Sequence, residues 1–302
     1  MATKTDNINV SEIKAINTVS FKQKMLQYKN HPSSLILLVL VTLCALITFG
    51  ILVFIIGYIL VQGIPNLTPE LFSLEYTSDN ASLMPALVNT LVMTLISLVI
   101  AVPLGVFSAI YLVEYAKRGN KLVAIIRTTA ETLSGIPSIV YGLFGMLFFV
   151  TTLGWGNSLL AGACTMAIMI LPLIMRTTEE ALQTVPDSFR EGSFGLGAGK
   201  LRTVFRVILP TAIPGILSGV ILAIGRVVGE SAALIYTAGT IAQYPKGMFS
   251  STRTLAVHMY LCTTEGLHTG QAYGTAVVLL ILVVLINSLS AFVAKKLTQK
   301  MG

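Results

Sequence analysis

Six long apolar runs dominate this sequence, and they constrain its fold more than any other feature. Each is about 18 residues or longer, which is enough for a helix to cross a hydrocarbon core of roughly 30 Å. A backbone in lipid must satisfy its own hydrogen bonds, and a helix does so within one segment. We therefore predict an all-α, polytopic membrane protein with six transmembrane helices, at residues 35–61, 86–113, 136–153, 158–175, 212–236 and 272–294.

Composition separates this prediction from the alternative of buried helices in a large soluble protein. Hydrophobic residues make up 54% of the chain and charged residues only 11%. A large soluble protein needs shorter apolar segments and far more polar surface than this. The composition therefore favours the membrane protein.

The positive charges are concentrated on one side of the predicted spans. The two termini, the second-to-third connection and the fourth-to-fifth connection hold nearly all of them, whereas the opposite connections hold only Lys246 and Arg253. By the positive-inside rule, both termini lie in the cytoplasm. The net charge of +7 is then a signal of topology, and we expect no nucleic-acid partner.

This topology divides the chain into segments with different surroundings. We expect a basic cytoplasmic tail at 1–34, a first transmembrane helix at 35–61, an external loop at 62–82, a five-helix core at 83–294 with a cytoplasmic connection at 176–211, and a C-terminal cytoplasmic tail at 295–302.

The connection at 176–211 has the pattern of a helical hairpin. We predict one short helix at 186–196, a turn at Gly197-Ala198-Gly199, and a second helix that begins at Lys200 and is ended by Pro210. Helical spacing places four apolar residues of the second helix on one face, namely Leu201, Val204, Phe205 and Ile208. The hairpin either packs under its own membrane domain or docks its apolar side chains into a groove on a cytoplasmic partner.

The same connection resembles the cytoplasmic-loop motif of binding-protein-dependent ABC transporter permeases. That motif reads E-A-A, three residues, G, nine residues, then I-x-L-P. It is matched here by Glu191, by Gly192-Ser193 in place of the two alanines, by Gly197 and by Val207-Ile208-Leu209-Pro210.

Three further segments are similar to phosphate-uptake permeases of the PstA type. They are Ile-Ala-Val-Pro-Leu-Gly at 100–105, Ser-Gly-Ile-Pro-Ser-Ile-Val-Tyr-Gly-Leu-Phe-Gly at 134–145, and Gly-Arg-Val-Val-Gly-Glu-Ser at 225–231. The second segment also predicts a kinked entrance to the third helix, at Pro137. The resemblance extends over roughly residues 83–294.

The resemblance implies a type I ABC importer permease fold in the cell inner (plasma) membrane. In that family two similar permease subunits pair as a heterodimer, two ATPase subunits bind in the cytoplasm, and an external phosphate-binding receptor delivers inorganic phosphate. It also implies a set of residues that couple to the ATPase, namely Glu191, Gly197, Leu201, Val204, Phe205, Leu209 and Pro210.

Arg226 and Glu230 are candidate residues of the substrate path. Both fall within the predicted fifth span, where a charge is costly and therefore usually functional. Their spacing of four residues places them on one helix face, and the planar fork of Arg suits a phosphate. The alternative is an ion pair that neutralises itself. Small residues on the same span, namely Gly215, Gly219, Gly225 and Gly229, favour close approach to a partner subunit.

Other function classes lack their motifs in this sequence. There is no phosphate-binding P-loop, so we expect ATP hydrolysis on a separate chain, no cofactor, and no catalytic residues here. His258 and His268 have no ligand partners at metal-site spacing, so no metal is expected. A permease for another oxyanion, such as sulfate or molybdate, remains open. An ion-coupled secondary transporter or an intramembrane enzyme would need inverted halves or a reactive constellation that we do not find.

Overall fold

The computed structural model describes residues 32–117, 119–266 and 268–301, and all regular structure within these ranges is helical. Most of the expected cytoplasmic tail at 1–34 lies outside the described residues. In chain order the helices are α1 Pro32–Gly63, α2 Met84–Ile110, α3 Lys121–Ser134, α4 Ser138–Gly145, α5 Leu159–Gln183, α6 Asp187–Gly195, α7 Lys200–Thr203, α8 Leu209–Val228, α9 Ala232–Thr237, α10 Leu255–Thr264 and α11 Thr269–Met301.

Short helical turns extend three of these helices. Tyr111–Tyr115 continues α2, Met146–Thr152 continues α4, and Val204–Ile208 joins α7 to α8; each is a π-turn. In the described part of the chain, five helical segments are long and apolar enough to cross a membrane: Ser33–Asn66, Met84–Tyr115, Leu159–Gln183, Lys200–Val228 and Thr269–Lys296.

The predicted third span, at 136–153, corresponds to Ser138–Thr152 and does not pass this test on its own. Lys121–Ser134 and Ser138–Thr152 pass the same test only as a pair, and they meet at an angle of 103°. Pro137 explains the break, because it has no N–H to donate and restricts the residue before it. The Tyr141 hydroxyl donates to the carbonyl of Leu133 at 2.7 Å across the bend. The predicted kink is therefore present, and it is sharp enough to separate two helices.

The described residues up to Tyr58 and the described residues from Ile59 onward form two compact units. In the first unit, the described helix 33–58 carries apolar side chains around its whole circumference, and nearly all of them are exposed. A helix that is apolar on every side is typical of a membrane span that faces lipid.

The second unit is organised around α5. Its buried side chains Met166, Ile170 and Ile174 pack in one cluster with Met93 of α2 and Val227 of α8. Both neighbouring helices therefore bury their inner faces against the same central helix. The close-packed core lies between α2, α5 and α8.

Two glycines allow α8 to lie close to α5. A Cβ atom at Gly215 would lie 2.6 Å from the Cβ of Ala181, and one at Gly219 would overlap the side chain of Thr177. A Cβ atom at Gly225, by contrast, would have no neighbouring atom within 4 Å. The prediction that all these glycines serve a partner subunit is thus wrong for Gly215 and Gly219, which serve packing within this chain.

The helix that contains α8 begins and ends earlier than predicted. It runs without interruption from Lys200 to Val228, so the prediction that Pro210 ends a separate helix is wrong. The π-turn before Pro210 widens the helix where the proline has no N–H, and the N–H of Leu209 donates to the carbonyl of Val204. At the other end, Gly229 caps α8, and α9 starts only at Ala232.

We expect Gly219→Val to lower the stability of the chain by about 1–3 kcal/mol, because its side chain must displace Thr177 on α5. Gly225→Val is the matched control, since it introduces the same side chain on the same helix with open space around it. The thermal unfolding temperatures of the two purified variants in detergent measure the difference. Equal unfolding temperatures would contradict the packing assigned to Gly219.

Candidate functional site

The first limb of the predicted hairpin is α6, and a glycine turn ends it. The N–H of Gly197 donates to the carbonyl of Phe194 at 2.9 Å, and the N–H of Ala198 donates to the carbonyl of Ser193 at 3.1 Å. This pair of bonds is the Schellman motif, which requires a left-handed residue after the helix. Gly197 supplies it with φ of +81°. The predicted turn is therefore present, and Gly197 is needed for its backbone conformation.

The second limb starts at α7, and a side-chain contact ties it to the first. The hydroxyls of Ser193 and Thr203 lie 2.8 Å apart, which is hydrogen-bonding distance. Thr203 is buried, so this bond is protected from water. The two limbs therefore hold a fixed angle at their closed end.

A buried ion pair fastens the hairpin to the membrane helices. The guanidinium of Arg190 lies 2.7 Å from Glu114, at the end of α2, and also donates to the carbonyls of Leu182 and Val185, at the end of α5 and just after it. The side chains of Arg190 and Glu114 are 16% and 8% exposed. The hydrogen bond to Glu114 raises the pKa of Arg190 above its ordinary value, against the opposing effect of burial. Sequence patterns do not reveal this contact, because its partners are far apart in the chain.

Burial divides the predicted apolar face of the second limb into two halves. Val204 is only 1% exposed, and it packs with Ile208 in a cluster that includes side chains of α2 and α5. Leu201 is 69% exposed, and Phe205 is exposed as well. The prediction that Val204 belongs to an exposed docking face is therefore wrong, because this side chain fills the core of its own chain.

The first limb supplies exposed apolar side chains that helical spacing does not single out. Leu196, at the turn, is 91% exposed, and Phe189 and Phe194 of α6 are exposed too. Their spacing is irregular, so a search for positions three and four apart does not find them. We call the five exposed side chains of both limbs the apolar hairpin surface: Phe189, Phe194, Leu196, Leu201 and Phe205.

The remaining predicted coupling residues lie around this surface. Glu191 is exposed on α6, and Leu209 and Pro210 are half-buried where the second limb enters the membrane helix. Single exposed apolar residues are common on soluble proteins, but five on one short hairpin are unusual. The arrangement is suited to contact with another protein.

Arg226 and Glu230 do not share a helix face. Arg226 lies in the last turn of α8, and Glu230 follows the end of that helix. A carboxylate oxygen of Glu230 accepts the N–H of Ala233, in the first turn of α9, at 3.1 Å. The side chains of Arg226 and Glu230 form no ion pair with each other. The prediction of a single helical face is therefore wrong, and so is a self-neutralising pair within this chain. Both residues are half-buried.

His258 lies on α10, in the segment between the spans Lys200–Val228 and Thr269–Lys296. Burial, with a contribution from the charge of Arg253, lowers the pKa of His258 to about 3, so its ring is neutral at physiological pH. Among the described residues, no group of three or more His, Cys, Asp and Glu side chains is placed to hold a metal ion. His258 therefore acts as a packing residue of this helix.

The apolar spans and the fastened hairpin between two of them define a multi-pass transport permease. The chain belongs to the family described as "Binding-protein-dependent transport system inner membrane component", whose match covers residues 101–302. A permease of this family is a transport subunit located in the membrane.

Curated relatives support this assignment over most of the chain. The chain is 37% identical to the "Probable ABC transporter permease protein YqgI" of Bacillus subtilis (strain 168), over 85% of this chain and 94% of the relative. It is also 37% identical to the "Phosphate transport system permease protein PstA 1" of Mycobacterium tuberculosis (strain CDC 1551 / Oshkosh), over 71% of each chain.

Solved structures confirm the predicted fold. A chain of a bacterial alginate ABC transporter aligns with a TM-score of 0.66 and 14% identity, covering 90% of this chain and 98% of that one. A chain of the MetNI methionine ABC transporter in an inward-facing conformation aligns with a TM-score of 0.56 and 22% identity, covering 80% of this chain and 98% of that one. The fold is that of type I ABC importer permeases.

We expect Arg190→Ala to destabilise the chain by about 3–5 kcal/mol, because it leaves the buried carboxylate of Glu114 without its partner. Arg202→Ala removes an exposed cation of the same hairpin and serves as the control. The double variant Arg190→Met/Glu114→Leu should recover much of the loss, because it buries no charge. Thermal unfolding of the purified proteins measures all three, and equal effects of Arg190→Ala and Arg202→Ala would contradict the role of the ion pair.

Proposed function

We propose that this chain is a permease subunit of an ATP-driven importer of inorganic phosphate. It forms the translocation path with a second, similar permease subunit, and two ATPase subunits bind it in the cytoplasm. An external phosphate-binding receptor delivers the substrate. The observation that carries this proposal is the fastened hairpin with its apolar surface, found in a chain whose relatives include a phosphate transport permease.

The hairpin is the proposed contact with the ATPase. Its five exposed apolar side chains are suited to a groove on a soluble partner, and its backbone turn and interlimb bond keep them in a fixed arrangement. Arg190 ties it to the ends of α2 and α5. Because the hairpin is held in this way, a movement of the ATPase displaces the hairpin and the membrane helices together. Glu191 contributes a surface charge to this contact, and Gly197 contributes the geometry of the turn.

Arg226 is the proposed substrate-path residue. It is half-buried near the end of a membrane helix and, among the described residues, has no carboxylate within ion-pair distance, so its donor fork is available to an anion. Arg presents paired N–H groups that match two phosphate oxygens and stays charged at every physiological pH. Glu230 holds the start of α9 beside it through the bond to Ala233. In this proposal Glu230 is a positioning residue, because it lies after α8 and acts through its bond to α9.

The orientation of the chain follows from its charges. Lys and Arg are concentrated on the side of the hairpin and of the predicted termini, so we place the hairpin and both termini in the cytoplasm and α10 outside. This orientation sets the apolar hairpin surface against a cytoplasmic ATPase. It also leaves α10 and the loops beside it accessible to the receptor.

We expect Arg226→Gln to reduce uptake of radiolabelled phosphate to background, because the neutral amide cannot replace a charge-assisted, two-point contact in a desolvated path. Lys246→Gln, in an exposed external loop, removes the same charge and should leave uptake unchanged. Both proteins should still co-purify with the ATPase. Competition by sulfate and molybdate in the same assay separates a phosphate permease from one for another oxyanion. Normal uptake by Arg226→Gln would refute the role of this residue.

We expect Leu201→Ala and Leu196→Ala to weaken co-purification of the ATPase by roughly 10-fold or more each, as exposed anchors of an interface do. The unfolding temperature of the permease itself should remain unchanged, because both side chains are exposed. Val204→Ala is the matched contrast, since it should cost the chain about 2 kcal/mol of its own stability. An ATPase that co-purifies normally with both leucine variants would exclude the hairpin as its contact.

A further inference from the structure

A cavity of about 790 Å³ lies at the cytoplasmic end of the membrane helices, beside the hairpin. Its walls come from the end of α2, the first turns of α3, the end of α5 and both limbs of the hairpin. The proposed function assigns no ligand to it. Among the described residues, five cationic side chains line it, namely Lys117, Lys121, Arg127, Arg190 and Lys200.

The lining of this cavity carries an excess of positive charge. The five cations face only two carboxylates in the lining, Glu114 and Asp187, and both of these are paired with Arg190. Arg127 is paired with Glu179 at 2.5 Å. Within the described residues, Lys117, Lys121 and Lys200 form no salt bridge, and Lys200 lies over the ring of Tyr115 at 5.2 Å. Three lysines are therefore left without a carboxylate around a single cavity.

The start of α3 adds to this positive field. Gly119, Asn120 and Lys121 all line the cavity, so the helix begins at its wall. The Asn120 side chain caps the helix by accepting the N–H of Leu122 at 3.0 Å. The N-terminal end of a 14-residue helix carries partial positive charge, which acts together with the lysines on an anion.

The surroundings of the cavity indicate which anion it takes. Leu122 and Ile125 of α3 are apolar and exposed, and Ile125 lies one helical turn from Lys121. A helix with cations on one side and exposed apolar residues beside them is typical of the membrane interface. Basic pockets between helices on the cytoplasmic side of a membrane bind anionic lipid headgroups, and the apolar residues then contact the acyl chains.

We propose that this cavity binds a phosphate group, and that the phosphate belongs to the headgroup of an anionic phospholipid in the cytoplasmic leaflet. Lys117 and Lys121 contact the headgroup from the side of α3, and Lys200 contacts it from the hairpin. Because Arg190, Phe194 and Lys200 belong to the hairpin, a bound headgroup joins it to α3. The lipid therefore restrains the same hairpin that Arg190 fastens to α2 and α5.

The test uses the full-length protein, purified with the subunits that accompany it, and the double variant Lys117→Gln/Lys121→Gln. Lys295→Gln/Lys296→Gln is the matched control, because it removes two exposed lysines from the end of α11. Native mass spectrometry with dioleoylphosphatidylglycerol and dioleoylphosphatidylcholine gives the dissociation constant of each lipid. Equal unfolding temperatures of the two variants establish that both are folded.

We expect the cavity variant to bind phosphatidylglycerol roughly 10- to 30-fold more weakly, since each lysine near an anionic lipid contributes a factor of about five. For the control variant, the dissociation constant of phosphatidylglycerol should change by less than about twofold. The dissociation constant of phosphatidylcholine should change by less than about twofold as well. A photoactivatable phosphatidylglycerol should label peptides that contain residues 117–127. If inorganic phosphate or glycerol 3-phosphate binds with this lysine dependence and phosphatidylglycerol does not, the lipid assignment is overturned. Equal binding of every phosphate compound by both variants overturns the site itself.

Discussion

The position of the hairpin in this structure depends on the contacts of the Arg190 guanidinium. This guanidinium bonds to Glu114 at the end of α2, to the carbonyls of Leu182 and Val185 around the end of α5, and to Asp187 on its own helix. A buried ion pair adds little net stability once desolvation is counted, but it penalises every arrangement in which one partner is left alone. Its main effect here is to define one position for the hairpin relative to the membrane helices.

Features that depend on local sequence were predicted well. The first limb was expected at 186–196 and occupies Asp187–Gly195, because Pro186 and the glycines around Gly197 act within a few residues. The apolar spans follow from length and hydropathy alone. The burial of Val204 does not, since helical spacing shows that residues share a face but not what that face contacts. The ion pair between Arg190 and Glu114 joins residues 76 positions apart, beyond any local rule.

Breaks in helices were harder to place than the helices themselves. Pro210 was expected to end a helix, but a π-turn before it lets the helix continue through the proline. Gly229 was treated as a packing residue, yet it ends α8, and this places Glu230 outside the helix. Gly and Pro have several uses in membrane helices, and neighbouring elements decide which one applies. The four-residue spacing between Arg226 and Glu230 therefore could not show, from the sequence alone, whether the two residues share a helix.

The uninterrupted helix from Lys200 to Val228 links the two candidate sites directly. Leu201 lies near the end of this helix at the hairpin and Arg226 near its other end, about 38 Å apart at 1.5 Å per residue. A rigid helix transmits a displacement at one end to the other, and the π-turn at Val204–Ile208 is the one irregular segment between them. At the far end, the packing continues through α9, where a Cβ at Gly142 of α4 would lie 2.7 Å from the Cα of Ala233. The second limb of the hairpin and the end of α8 that carries Arg226 therefore belong to one continuous helix. A displacement of the hairpin can reach Arg226 along this helix without passing through any other part of the chain.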